Sequence, residues 1–360
     1  MGRGARIVLL PGDGIGPEVA AAAVRILTSV AARRGHSFEI EPFPIGASAL
    51  RSEGTPLPER TKRACLAADA VFLGAVGDPA FDAAPPDKRP EAGLLGLRKA
   101  LGVYANLRPG RLFRGLNGAG PLKPEISRGL DLVIVRELTG GLYYGTPRHL
   151  DPAGGSAVNT LPYTRAEITR VAEVAFRLAR GRRRLVTSVD KSNVLETSQL
   201  WRAVVSEVGK RYPDVTLEHQ LVDSCAMSLV LSPTRFDVLV MENLFGDILS
   251  DEVGALVGSL GLLPSASLGD GPGLFEPVHG SAPALAGKNV ANPVGAIASA
   301  ALLLRYGLSL SEEAAAVERA IEAALASGAR TADLAPPGTS GSFSTTDMTD
   351  TIVSALEQEH

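Results

Sequence analysis

Two aspartates, Asp247 and Asp251, lie four residues apart in the segment Asn243-Leu244-Phe245-Gly246-Asp247-Ile248-Leu249-Ser250-Asp251. On a helix that spacing puts their Cβ atoms roughly 5–6 Å apart on one face. Two carboxylates so placed can hold Mg²⁺ or Mn²⁺, hard cations that keep water or substrate oxygens as further ligands. Acidic residues near a helix start also favour the macrodipole without binding anything. The apolar character of the rest of the segment argues for a pair lining a cleft. Three arginines form a second group: Arg98, Arg108 and Arg136 each stand beside glycine, proline or the end of an apolar run. Guanidinium forks match carboxylates bidentately, so three of them suit a di- or tricarboxylic acid. Arg136 closes the apolar run Leu132–Val135, and ligands of parallel sheets bind beyond strand carboxyl ends. Tyr143, after Thr139-Gly140-Gly141-Leu142, and Lys191, after the apolar run ending at Val189, can transfer protons once burial or charge moves their pKa. His279, within Glu276-Pro277-Val278-His279-Gly280-Ser281-Ala282-Pro283, sits in a loop of binding character.

These side chains need rigid elements to hold them. Short aliphatic runs at Ile7–Leu10, Ala70–Leu73, Leu132–Val135, Leu185–Val189 and Val238–Met241 read as buried strands. They alternate with helical patterns at 164–180, 196–211, 245–259, 293–305 and 312–327. That alternation predicts an α/β fold with mainly parallel pairing. The Gly/Ser/Pro-rich stretches 150–163 and 264–273 read as loops or extended connections. Gly12-Asp13-Gly14-Ile15-Gly16-Pro17 follows a strand and opens a helix, but its last position is proline, so it departs from the GxGxxG dinucleotide fingerprint. The whole chain bounds the partners. Its 360 residues suggest two domains, and a net charge of −3 from 36 basic and 39 acidic residues gives no nucleic-acid or anionic-membrane surface. The longest uncharged stretch, Val253–Gly269, is shorter than the about 20 apolar residues of a spanning helix. The run Ile7–Leu10 is too short for a signal peptide. Cys65 and Cys225 form no CxxC, which leaves a reducing, cytoplasmic setting as the expectation.

Seven segments in order resemble one family, the metal-dependent β-decarboxylating (isocitrate/isopropylmalate) dehydrogenases. They are Leu10–Glu18, Arg89–Arg98, Ala105–Pro109, Val135–Gly145, Ser188–Glu196, Asn243–Asp251 and Phe275–Pro283. The resemblance implies a two-domain α/β fold that is not Rossmann. Residues 1–103 and 258–360 would form a discontinuous cofactor-binding domain, and 104–257 a second domain with a dimerisation arm around 141–165. It implies that Arg98, Arg108 and Arg136 clamp the carboxylates of a malate. Asp247 and Asp251 would bind Mg²⁺ or Mn²⁺ together with Asp223 from the other subunit of a homodimer. Lys191, also from that subunit, would assist removal of the C2 hydroxyl proton, and Tyr143 would protonate the enolate left after CO₂ departs. NAD would lie against Ile15, Glu276, His279, Gly280, Ser281, Ala282, Asn292 and Asp333.

Substrate choice rests on Glu91, Leu94, Leu95 and Val194, which match the apolar pocket of the isopropylmalate branch. That branch carries out oxidative decarboxylation of 3-isopropylmalate to 2-oxo-4-methylpentanoate, with NAD as hydride acceptor, in leucine biosynthesis. Burying a γ-carboxylate against two leucines would be costly, so a 3-alkylmalate is the expected substrate. Another 3-substituted malate or tartrate, and a catalytically silent regulatory relative, stay open as alternatives. One position departs from the NAD-using pattern: Ala284 stands where an aspartate normally accepts the adenosine ribose hydroxyls. The substitution removes both that acceptor and the repulsion that rejects a 2′-phosphate, so NADP stays open beside NAD. We expect kcat/KM to favour NAD over NADP by less than about a thousandfold, a gap of polar recognition. A larger preference would remove Ala284 from the account of selectivity.

Overall fold

A computed structural model describes residues 2–116, 120–335 and 341–358. Its strands, in chain order, are β1 (Gly4–Gly12), β2 (Ser37–Pro42), β3 (Ala70–Ala75), β4 (Val103–Arg111), β5 (Asp131–Glu137) and β6 (His149–Leu150). There follow β7 (Ala157–Val158), β8 (Leu185–Asp190), β9 (Thr216–Leu221), β10 (Val238–Met241), β11 (Pro264–Gly269) and β12 (Gly273–Pro277). The chain divides into two compact units. One is made of Met1–Val103, Phe113–Gly120 and Gly258–His360, the other of Tyr104–Leu112 and Pro121–Val257.

In the first unit the strands run in the order β2-β1-β3-β12-β11. Pairing is parallel except between β11 and β12. β3 is buried at every position, as expected of a strand covered on both faces. The helix Gly16–Arg34 shows why the local sequence folds as it does: Pro17 opens it, Glu18 lies in its first turn and Arg33 and Arg34 in its last. These charges oppose the helix dipole, and Gly35, in the left-handed region at φ 69, ends it. The turn before this helix is tied by its aspartate. Asp13 is 5% exposed and accepts hydrogen bonds from the backbone N–H groups of Ala47 (2.9 Å), Ser48 (2.9 Å) and Gly77 (3.0 Å). The Gly12–Gly16 segment thus carries an internal anion that ties it to the start of the helix Gly46–Glu53 and to the loop at Gly77.

The second unit orders its strands β4-β5-β10-β8-β9, antiparallel only between β4 and β5. The helix Arg165–Arg180 starts with a capping box between Thr164 and Glu167. The helices Val222–Leu231 and Asn243–Val257 pack Cys225, Leu229, Leu249, Val253 and Leu256 with Leu132, Ile134, Leu239 and Met241 of the sheet. Each unit holds one cysteine. Both are fully buried, and burial pushes each thiol up to about 12.

All five strand runs and all five helical patterns of the sequence appear at their expected places, and the mixed α/β class is as expected. The stretch 264–273 is corrected: instead of a loop it supplies β11 and leads into β12, an antiparallel pair mostly buried. Serine, glycine and proline hid it, because small residues fill a covered strand without producing an apolar run. Within 150–163 lies one short exposed strand, β7, paired with β6. Among the described residues no helix is long and apolar enough to cross a membrane. Removing the Asp13 carboxylate leaves three backbone donors without partners, at about 1–3 kcal/mol for each that stays buried. Asp13→Ala is therefore expected to lower unfolding free energy by about 3 kcal/mol, read as a shift in the urea midpoint; a change under about 0.5 kcal/mol, typical of neutral surface sites, would contradict the role.

Candidate active site

In the second unit, parallel pairing sets Arg136 of β5 opposite Met241 of β10, two residues before the helix Asn243–Val257. The antiparallel partner β4 places Asn106 beside Arg136 and carries Arg108 two residues further on. Arg136 is 5% exposed. Its Nε donates to Asn243 Oδ1 at 2.9 Å, and its Nη1 donates to Asp247 Oδ1. The guanidinium lies 5.5 Å from the centre of the Tyr143 ring, a cation–π distance. This approach depends on Gly246, where a Cβ would fall 2.6 Å from Arg136 Cγ.

Arg108 completes the cluster. Its Nη1 donates to Ser250 Oγ at 2.7 Å and lies 3.5 Å from both Asp247 Oδ1 and Asp251 Oδ1. Its Nε is held by Asn106 Oδ1 at 2.8 Å. Both aspartates therefore converge on one guanidinium, as the i, i+4 spacing predicts. Tyr143 donates its hydroxyl to the other oxygen of Asp247, Oδ2, at 2.6 Å.

The electrostatics follow from these contacts. Burial works to raise Asp247, but Arg136, the Tyr143 hydroxyl and Arg108 outweigh it and hold the carboxyl below its usual range. Asp251 goes the other way: burial raises it, with Asp247 adding repulsion and Arg108 and Arg136 opposing. Partial burial and the Asp247 carboxylate push the Tyr143 phenol up, so it keeps its proton at neutral pH. The Asp247 side chain is 35% exposed and that of Asp251 59%. Two convergent carboxylates suit a hard divalent cation that draws its remaining ligands from elsewhere.

Lys191 and Asp223 meet each other, Nζ to Oδ1 at 2.7 Å, and the lysine ammonium holds the Asp223 carboxyl below its usual range. Lys191 is fixed from behind. Its N–H donates to Ser198 Oγ at 3.0 Å, and the neighbouring Asp190, 1% exposed, accepts both nitrogens of an Arg202 fork. Among the described residues no group of three or more His, Cys, Asp or Glu gathers as a metal site, so Asp223 does not complete one with Asp247 and Asp251 within a single chain.

In the first unit, Arg98 Nη2 pairs with Glu276 Oε1 at 2.7 Å, with both side chains largely buried. Ile15 donates its N–H to Ser281 O at 2.8 Å, and Ala282 takes a left-handed backbone at φ 39. Asp333 accepts from Asn292 Nδ2 at 3.0 Å and from Ser259 Oγ at 2.5 Å. His279 contacts Gly280 O through Nδ1 at 3.0 Å, while its Nε2 is buried without a partner; burial pushes the ring below the usual histidine range. Gly280 and Glu91 are exposed, and Leu94 is half-buried. Leu95 is 41% exposed and, in the other unit, Val194 61%.

Sequence reading missed Asn106, Asn243, Ser250 and Asp13. For two of them the signal was present: Asn243 and Ser250 sit four before and three after Asp247, on its helix face.

Two arginines, two aspartates and a tyrosine gathered at strand ends of an α/β scaffold make the candidate site, and comparison with known proteins gives the family. Residues 6–352 match the family model described as isocitrate/isopropylmalate dehydrogenase. The chain is 56% identical over 354 residues to a 3-isopropylmalate dehydrogenase of Geobacillus kaustophilus, covering 98% of this chain and 95% of that one. It is 54% identical over 355 residues to one of Anaeromyxobacter dehalogenans, covering 98% and 99%. An isocitrate dehydrogenase structure from Methylococcus capsulatus superposes with a TM-score of 0.87 at 36% identity, covering 98% and 99%. The chain belongs to the isocitrate/isopropylmalate dehydrogenase family.

The depressed Asp247 carboxyl links the site to stability. Its unfolded value lies near 3.9, so with no cation added its contribution is fully present above about pH 4 and fades as pH falls through the lower folded value. Asp247→Asn is expected to flatten the acid limb of stability below about pH 4, measured as urea midpoints across pH. An acid limb identical to that of the unaltered chain would exclude the charge coupling.

Proposed function

We propose that the chain catalyses oxidative decarboxylation of a 3-alkylmalate, with 3-isopropylmalate the foremost substrate and NAD the hydride acceptor, in leucine biosynthesis in the cytoplasm. The observation that carries this reading is the shared carboxylate: one aspartate, Asp247, meets two guanidinium groups and the hydroxyl of a tyrosine whose proton is firmly held. The family relationship points the same way.

In this reading Arg108, Arg136 and Arg98 bind the substrate carboxylates. All three already face acceptors, so substrate oxygens replace an existing pairing and no bare charge is created. A divalent cation held by Asp247 and Asp251, with Asp223 of the partner subunit, would polarise the C2 oxygen, and a dinucleotide held by Ile15, Glu276, His279, Gly280, Ser281, Ala282, Asn292 and Asp333 would take up the hydride. Lys191 of the partner subunit would assist removal of the C2 hydroxyl proton. Tyr143 gives its hydroxyl proton to the carbon that loses CO₂, and its raised pKa keeps that proton available. Leu94, Leu95 and Val194 receive the alkyl substituent, with Glu91 beside it; a carboxylate there would go uncompensated.

A homodimer completes the reading. Met227, Val230 and Leu231 of the helix Val222–Leu231 are exposed at 59%, 42% and 62%, and Ile248 of the neighbouring helix at 59%. Spaced i, i+3, i+4, the first three make one apolar stripe, which a second copy of this chain would cover. The test is a panel of 3-substituted malates and tartrate assayed with Mn²⁺, with solution mass read in parallel. The highest kcat/KM is expected for 3-isopropylmalate, in a dimer. Equal turnover of isocitrate would reject the alkyl pocket, and a monomer active at assay concentration would reject the shared site.

A further inference from the structure

We propose that Tyr163 is a positioning residue for this site: its hydroxyl, held between the buried Glu137 carboxylate and the Asn243 backbone, sets the geometry in which Arg136 and Tyr143 meet Asp247. The inference rests on the roles given above to those three residues.

The hydrogen bonds close a ring. The Asn243 N–H donates to the Tyr163 hydroxyl at 3.0 Å. That bond turns the hydroxyl proton toward Glu137 Oε2, 3.2 Å away. The same Oε2 accepts the Gly140 N–H at 2.7 Å, and the Gly140 carbonyl accepts Asn243 Nδ2 at 3.0 Å. Asn243 is left with its side-chain oxygen, and that is the atom that receives Arg136 Nε at 2.9 Å. The orientation of the Asn243 amide, and with it the acceptor offered to Arg136, is thus imposed by the ring.

Burial makes the ring costly to open. Glu137 is 0% exposed, Asn243 1% and Tyr163 9%. Glu137 Oε1 takes the Thr139 hydroxyl at 2.6 Å, and the nearest cation is Arg170, whose Nη2 lies 3.8 Å from it. Unpaired donors or acceptors at such depth are strongly disfavoured. Tyr163 also shapes the turn that carries Tyr143. At Gly141, φ is +74 and a Cβ would lie 2.8 Å from the Tyr163 hydroxyl oxygen. The turn Gly141–Tyr143 therefore rests directly on this hydroxyl. One side chain thus contacts the segments that bear Arg136, Tyr143 and Asp247.

The chain supplies its own readout. Trp201 is its only tryptophan, and its ring lies edge-on to Tyr163 at 5.6 Å, so its emission reports local packing. Tyr163→Phe keeps the ring and removes the hydroxyl. In the full-length enzyme with its cation and dinucleotide, kcat is expected to fall roughly a hundredfold, the scale of a misplaced reacting group. KM for the dinucleotide and the Trp201 emission maximum should stay as in the unaltered chain. Wild-type kcat, or a kcat loss accompanied by red-shifted emission, would overturn the proposal. Glu137→Gln opens the same ring from its other side and stands in if Tyr163→Phe does not fold; a hundredfold loss supports the relay and wild-type kcat refutes it. Tyr143→Phe separates the two levels of the argument. If it is fully active, the site reading itself falls; if it is inactive while Tyr163→Phe is unimpaired, only the positioning role falls.

Discussion

A guanidinium buried at the end of a strand must be given acceptors, and Arg136 is such a group. Leaving it unpaired at 5% exposure would cost several kcal/mol, so its neighbours are chosen around that need. Asn243 and Asp247 supply the acceptors from successive turns of one helix. Gly246, between them, leaves room for the arginine stem. In this register of the helix Asn243–Val257, Ser250 and Asp251 face Arg108. A single buried charge therefore organises a strand end, a helix start and a tyrosine turn.

The first unit applies the same physics with opposite sign. Asp13 is a buried carboxylate that accepts from three backbone N–H groups, two in the first turn of the helix Gly46–Glu53 and one at Gly77. Nearby, Arg98 and Glu276, expected from the sequence to meet different ligands, occupy each other at 2.7 Å. A ligand that engages either one must offer more than the partner it displaces. Asp333 likewise arrives already bonded, accepting from both Asn292 and Ser259. Arg136 with Asp247, Arg98 with Glu276 and Lys191 with Asp223 make the same point: the charges of the candidate site neutralise one another.

Much of this was readable in the sequence, and what was missed has common causes. Parallel strands such as β10 stand out because every residue is apolar, and helices such as Arg165–Arg180 because their caps are explicit. β4 was obscured by Pro109 and Gly110, and β11 by serine and proline, since neither gives an apolar run or an alternation. Among residues of the candidate site, Asp247, Arg136 and Tyr143 could be named by chemistry and motif. Asn106, Tyr163 and Glu137 could not, because their parts depend on pairings between segments distant in sequence: Glu137 lies 26 residues before Tyr163, and Asn243 another 80 beyond it. Spacing along a chain reveals neighbours on one helix; it is silent about neighbours across a sheet.

The two cysteines have one more consequence. Each compact unit contains one thiol, Cys65 in the first and Cys225 in the second, and burial keeps both protonated and shielded. A protonated, inaccessible thiol does not react with alkylating reagents; it does so only when the surrounding packing opens. The chain thereby carries a separate chemical clock in each half, and labelling rates at the two positions would time the loosening of one unit independently of the other.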